Sequence, residues 1–185
     1  MEQELIRDSA GRSGWHRLQL HANDAAMKEN LCRFLFSALA PGHAAIVVAE
    51  RGHLQSVREH AATWDLDLER AEAEGRFVPV VAEDVLPHLL IDGMPDRERF
   101  RALLKALKGR VTAEHQQLHI YGEMVGMLLD QGQEAAMHGL EELWNEVGAE
   151  ERFTLLCGYP ARLLTSPERA ETMQRVCDHH HSLVG

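Results

Sequence analysis

Short apolar segments alternate along the chain with longer segments whose apolar residues recur at helical spacing. Trp15–Leu20 alternates large and polar side chains, whereas Ala44–Ala49 is apolar throughout and contains β-branched residues, which is typical of a strand buried on both faces. The segments between the strands place apolar residues three or four positions apart, as amphipathic helices do. Strands joined by helices in this way form parallel crossovers. The predicted strands are 15–20, 44–49, 77–81, 118–121 and 153–157.

This order of elements predicts a three-layer α/β sandwich with a mainly parallel five-stranded sheet. Local signals mark several helix boundaries. Asn23 or Asp24 can cap the first helix, Pro95 and Asp96 mark the start of a central one, and Ser166-Pro167-Glu168 supplies a cap, a first-turn proline and an acid for the last.

Length and composition favour one soluble domain. The 185 residues are 45% hydrophobic and 26% charged, so we expect a flexible lead-in at 1–14 and a single domain at 15–185. The formal net charge of −10 argues against direct nucleic-acid binding. No apolar run approaches the roughly 20 residues of a membrane span, which predicts a cytoplasmic protein without membrane contact. Three widely spaced cysteines predict reduced thiols.

Candidate binding residues cluster at the predicted strand ends. Tyr121-Gly122-Glu123 joins a strand to a helix, which is how an open α/β sheet forms a pocket at its carboxyl edge. Glu50 and Glu83 follow two other strands and could form an acidic rim, or simply lie in surface loops. The ligand-binding candidates are His21, Tyr121, Gly122, Glu123, Cys157 and Tyr159, and we expect Tyr121, Glu123, Cys157 and Tyr159 to line one pocket at this edge.

Nucleotide chemistry is not indicated, because GxxxxGK[ST] and GxGxxG are both absent. Cys157 could act as a nucleophile with His21, His119 or Glu123, although a cysteine inside an apolar strand is more often a small buried side chain. We therefore expect a non-enzymatic protein without a cofactor.

Metal binding has one weak candidate set, Cys177, His179 and His181, near the C-terminus. Consecutive residues of a helix point about 100° apart, so adjacent histidines rarely hold one ion, and we expect no metal. The remaining histidines are scattered, and five are predicted to be solvated and without a role: His53, His60, His88, His115 and His138.

Several motifs follow one another along the chain, among them Tyr121-Gly-Glu-Met-Val, Leu140-Glu-Glu-Leu-Trp-Asn and Phe153-Thr-Leu-Leu-Cys-Gly-Tyr-Pro. In this order they resemble the MEDS domain, a sensory domain named for methanogens, methylotrophs and the dichloromethane-responsive regulator. Many members begin with a strand of the form HxCxFY, of which only His16 is kept here. The matched positions are Gly122, Glu123, Met124, Glu141, Asn145, Cys157, Tyr159 and Pro160.

This resemblance implies a fold distantly similar to RecA and KaiC-type ATPases, without a phosphate loop. It also implies a sensor of small hydrocarbon derivatives in bacterial and archaeal signalling. The signal would pass to a separate histidine kinase, anti-sigma factor or transcription regulator, or through a homodimer. The alternatives are a ligand-free partner-switching module and a cysteine-dependent enzyme.

Overall fold

The computed structural model describes residues 15–112 and 117–184, so the predicted lead-in at 1–14 and His115 lie outside the described residues. Every helix within these ranges is too short or too polar to cross a lipid bilayer. Short 3₁₀ helices occur at Ala61–Trp64, Ala161–Leu163 and Pro167–Arg169. The strands are β1 (His16–His21), β2 (Ala44–Ala49), β3 (Phe77–Val81), β4 (Leu90–Ile91), β5 (Met94–Pro95), β6 (Leu118–Gly122), β7 (Thr154–Pro160) and β8 (Ser182–Val184). The α-helices are α1 (Asp24–Leu39), α2 (Arg51–His60), α3 (Leu68–Ala73), α4 (Ala82–Leu89), α5 (Arg97–Lys108), α6 (Met124–Asp130), α7 (Glu134–Glu150) and α8 (Ala170–His179).

A parallel sheet with the strand order β3-β2-β6-β7-β1-β8 forms the centre of the described structure. The predicted α/β class with a mainly parallel sheet is confirmed, but the sheet has six strands rather than five. The sixth is β8, which pairs with β1 beyond the last helix. Its three residues are too few to show a periodicity, so the sequence pattern did not reveal it.

A second, two-stranded sheet lies between α4 and α5. β4 and β5 pair antiparallel, with Ile91 opposite Met94. The turn between them is Asp92-Gly93, and its two residues have φ values of 51° and 78°. Positive φ at both central positions is what a tight hairpin turn needs, and Gly93 adopts it without steric cost.

The two faces of the six-stranded sheet carry separate apolar cores. Along β2, Ala45 and Val47 pack with α1, α2 and α3, whereas Ile46 and Val48 pack with α4 to α8. All six residues of β2 are buried, as its continuous apolar sequence predicted. We call the two sides of the sheet the α1 face and the α7 face.

Candidate functional site

A small cleft lies at the carboxyl edge of the sheet, where β1, β2, β6 and β7 end. Its volume is about 30 Å³, roughly the share of one water molecule in the liquid. The crevice outside the carboxyl ends of parallel strands is the usual ligand position in open α/β sheets. Charged and ionisable residues in its lining are His21, Glu50, His53, Glu123, Asp130 and Arg162.

Glu123 is the centre of this cleft. Its side chain is only 4% exposed. Its carboxylate accepts hydrogen bonds from the Tyr121 hydroxyl at 2.9 Å and from the Glu50 backbone N–H at 2.8 Å. His53 Nδ1 lies 2.8 Å from the same carboxylate. This hydrogen bond raises the pKa of His53 despite its partial burial. The prediction that His53 is solvated is therefore wrong, since its side chain is only 18% exposed.

His21, a predicted ligand-binding residue, ends β1 and lies in the cleft. Burial lowers its pKa, although the nearby Glu123 carboxylate opposes the shift. Its Nδ1 atom is buried and has no hydrogen-bond partner within the described residues. A buried polar atom without a partner costs free energy, so His21 can still gain a hydrogen bond.

The acidic side of the cleft is partly balanced by Arg162. This side chain binds Asp130 through two contacts, at 2.7 and 3.1 Å. Burial raises the pKa of the Glu50 carboxyl, and the neighbouring Glu123 raises it further, although His53 acts in the opposite direction. A neutral or cationic molecule that donates hydrogen bonds therefore suits the cleft better than an anion.

Two other predicted site residues, Cys157 and Tyr159, lie on the α7 face of the sheet, whereas Tyr121 lies on the α1 face. In β7, Leu156 packs with Tyr121 on the α1 face, while Cys157 and Tyr159 pack on the α7 face. Successive side chains of a strand alternate between faces, so Cys157 and Tyr159 cannot share a pocket with Tyr121. The prediction that Tyr121, Glu123, Cys157 and Tyr159 line one pocket is wrong in this respect.

On the α7 face, Cys157 and Tyr159 belong to a second group of polar residues around Glu141, which is fully buried. The Tyr159 hydroxyl donates to Glu141 Oε1 at 2.5 Å, and His16 Nε2 lies 3.2 Å from Glu141 Oε2. His180 Nε2 lies 3.5 Å from Glu141 Oε1. We call His16, Glu141, Cys157, Tyr159 and His180 the buried cluster.

Electrostatics within the buried cluster favour an ionised Glu141. Burial would raise the pKa of its carboxyl, but the His16 hydrogen bond and the nearby histidines together bring it to about 2. Burial lowers the pKa of His180 to about 4. Burial and the Glu141 charge raise the pKa of the Cys157 thiol well above its usual value, so little thiolate forms in the protein as described.

Two groups of side chains within the described residues could hold a metal ion, each with donor atoms within 4.8 Å of one another. One is Glu50, His53 and Glu123 in the cleft, and the other is His16, Glu141, Cys157 and His180. Neither group contains Cys177, His179 or His181, the weak candidate set that was considered from the sequence.

The structure separates that C-terminal set. His179 Nε2 lies 3.1 Å from His138 Nδ1, and the His181 ring packs against Trp15 at 5.4 Å. Cys177 is partly buried at the edge of the α7-face core. The prediction that His138 is solvated is also wrong, since it is 4% exposed. His180 was not among the residues predicted from the sequence, because its burial depends on the β8 pairing that the pattern did not reveal.

Comparison with known proteins agrees with this architecture. The model of a family described as the methanogen/methylotroph, DcmR sensory domain (MEDS) matches residues 15–180. The chain is a member of the MEDS family. Both the cleft and the buried cluster lie within the part that matches the MEDS model.

A KaiC-like protein from the hyperthermophilic archaeon Pyrococcus horikoshii OT3 has a similar fold, with a TM-score of 0.53 over 88% of this MEDS chain and 70% of that chain. The two sequences are 15% identical, so the likeness concerns the fold alone. It confirms the predicted distant similarity to KaiC. Comparison with curated proteins gives no match.

Proposed function

We propose that this MEDS domain is a non-enzymatic sensor that binds a small polar molecule in the carboxyl-edge cleft and relays its presence to a separate signalling protein. Membership of the MEDS family indicates a sensory role. One observation carries the proposal: the cleft is lined both by the buried carboxylate of Glu123 and by His21, whose buried Nδ1 atom lacks a hydrogen-bond partner within the described residues.

The cleft limits the ligand by size and by charge. A volume of about 30 Å³ accepts a molecule, or the end of one, of about one or two non-hydrogen atoms. Glu50 and Glu123 are hydrogen-bond acceptors when ionised, and Asp130 adds a third carboxylate. A small amine or alcohol, which is the polar end of a simple hydrocarbon derivative, satisfies both limits.

The relay would begin at α6, which starts directly after Glu123. This helix packs closely on β7 at Gly126, where a Cβ would lie 2.9 Å from the Gly158 carbonyl oxygen. A ligand that moves Glu123 would therefore also displace α6, and a partner that distinguishes the two positions would read the change. The partner would be a histidine kinase, an anti-sigma factor or a transcription regulator.

Protein interaction without a ligand is the second candidate function, and the β4–β5 hairpin favours it. Ile91 is 44% exposed and Met94 is 45% exposed, and the two lie opposite one another. Exposed neighbouring apolar side chains are typical of contact surfaces. A catalytic role for Cys157 has less support, because its raised pKa leaves little of the nucleophilic thiolate.

Ligand-induced stabilisation tests the sensor proposal. Methylammonium, methanol and formate serve as cationic, neutral and anionic probes, and the melting temperature of the chain is measured against their concentration. We expect saturable stabilisation by methylammonium or methanol and none by formate. A ligand at about 100 times its Kd stabilises by about 2.7 kcal/mol, or roughly 5 °C or more for a domain of this size.

Two variants assign that effect to the cleft. Glu123→Gln removes the buried charge and should abolish the stabilisation. Glu83→Gln is the matched control, since Glu83 also follows a strand at this edge and accepts a backbone hydrogen bond, from Arg51, but is exposed and outside the cleft. Equal losses in both variants, or no stabilisation of the unmodified chain by any probe, would contradict the proposal.

A further inference from the structure

The buried cluster on the α7 face points to a second site, separate from the proposed sensory cleft. We propose that His16, Glu141, Cys157 and His180 bind a single divalent transition-metal ion of the zinc class. Four different elements or their ends supply the donors: β1, α7, β7 and the residue directly after α8. Donor spacing, the orientation of the two imidazoles and charge balance all favour such an ion.

Donor spacing fits a four-coordinate ion. Bonds of about 2.0 to 2.3 Å in a tetrahedron place neighbouring donor atoms about 3.3 to 3.8 Å apart. His16 Nε2 lies 3.3 Å from Cys157 Sγ and 3.2 Å from Glu141 Oε2. His180 Nε2 lies 3.5 Å from Glu141 Oε1, and Cys157 Sγ lies 3.8 Å from Glu141 Oε2. The His16, Cys157 and Glu141 donors are therefore already at the distances that one ion would impose. His180 approaches the other carboxylate oxygen, and one donor atom from each of the four residues lies within 4.8 Å of the others.

Hydrogen bonds outside the cluster orient the His16 ring so that its Nε2 atom faces the cluster. Asn145 Nδ2 donates to the His179 carbonyl oxygen at 3.1 Å, which makes Asn145 Oδ1 the acceptor for His16 Nδ1 at 3.0 Å. The Nδ1 atom of His16 therefore carries a hydrogen and is not available to a metal. Nε2 donates to the Glu141 carboxylate in the metal-free protein and presents a lone pair to the cluster once its proton leaves. Such a second partner on the far ring nitrogen is common in metal-bound histidines.

His180 is oriented in the same way. Its Nδ1 lies 2.6 Å from the Val176 carbonyl oxygen, which can only accept, so Nδ1 donates. Its Nε2 atom is buried without a hydrogen-bond partner within the described residues, and the side chain is 1% exposed. A lone pair would then face the Glu141 carboxylate at 3.5 Å, where a cation would relieve the repulsion.

Charge balance and donor chemistry select the ion. The Glu141 carboxylate and a Cys157 thiolate together carry two negative charges, which a divalent ion neutralises inside the core. On binding, the Cys157 S–H bond and the His16 Nε2–H bond break, the sulfur and the ring nitrogen bond the metal, and both protons pass to solvent. Two imidazoles, one thiolate and one carboxylate form a donor set that suits zinc better than magnesium or calcium.

An ion at this position would anchor the C-terminal segment. His180 lies between α8 and β8, the edge strand that pairs with β1. The metal would join this segment to α7 and β7 through side chains. Metal occupancy would therefore determine how firmly the last strand is held on the sheet.

Cobalt absorption tests the site, because Co²⁺ replaces zinc in tetrahedral sites and is coloured. The full chain is reduced, stripped with a chelator and titrated with Co²⁺. We expect one equivalent to bind, with the visible bands of four-coordinate Co²⁺ and a near-ultraviolet thiolate-to-cobalt charge-transfer band. One equivalent of Zn²⁺ should remove both. Absence of the charge-transfer band in the unmodified chain would overturn the proposal.

Three variants identify the ligands. A Cys32→Ser/Cys177→Ser double variant leaves Cys157 as the single cysteine and should keep the charge-transfer band; its loss there would refute the assignment. His180→Gln should weaken Co²⁺ binding by about 100-fold or more, whereas His179→Gln, the matched control beside it, should not. Unchanged binding by a folded His180→Gln chain would also overturn the proposal, and the double variant decides the thiolate assignment even if His180→Gln does not fold.

Discussion

Replacing Glu141 with alanine is expected to lower the free energy of unfolding by about 3 to 5 kcal/mol, the usual cost of removing one member of a buried charged group. The Tyr159 hydroxyl would lose its acceptor at 2.5 Å, and His16 would lose its contact at 3.2 Å. Both partners would remain buried without compensation. Urea unfolding with a chelator present measures the loss without any contribution from a bound metal.

Glu142→Ala is the control for this experiment. Glu142 is the next residue of α7 and is exposed, so its replacement should change stability by no more than about 0.5 kcal/mol. Similar losses in the two variants would mean that the cluster around Glu141 does not contribute to stability as described.

A second large effect is expected for Gly158→Ala. A Cβ at this position would lie 2.9 Å from the Tyr121 Cζ atom and closer still to its hydroxyl. Tyr121 is 1% exposed, and its hydroxyl donates to Glu123. The ring must move, which combines overpacking with a weakened buried hydrogen bond. We expect a loss of about 2 to 4 kcal/mol in urea unfolding.

A double-mutant cycle tests the cause of this loss. Tyr121→Phe removes the hydroxyl that a Cβ at residue 158 would meet, so Gly158→Ala should cost at least about 1 kcal/mol less in the Tyr121→Phe background. Gly139→Ala in α7 is the control, because its Cβ would have neighbours no closer than 3.5 Å. Strict additivity in the cycle would contradict the proposed contact.

The strands that could be predicted most accurately from the sequence are those whose apolar residues reflect burial in the sheet. The segments 44–49 and 77–81 were predicted with the bounds that β2 and β3 have, because strands that are largely buried in a parallel sheet are continuous apolar runs. The β4–β5 hairpin and β8 were not predicted, since strands of two or three residues show no periodicity. Their formation depends on tertiary pairing.

The position of the candidate site could be predicted from the sequence, but the arrangement of its side chains could not. His21 and Glu123 lie at strand ends, and the parallel topology brings strand ends together at one edge. The face on which Tyr121 and Cys157 lie depends on strand register, and shifting a strand by one residue exchanges its faces. His53 was missed because a histidine in the first turn of a helix has no pattern that reveals a distant partner such as Glu123.

Chemical-shift mapping of the unmodified ¹⁵N-labelled chain with methylammonium tests the sensory cleft most directly. The Glu50 amide donates to Glu123 Oε2 at 2.8 Å, so it reports any ligand that binds this carboxylate. We expect saturable shifts that are largest at Glu50 and at the residues next to Glu123. Saturable shifts confined to another surface, or no shifts at concentrations that raise the melting temperature, would contradict the proposal.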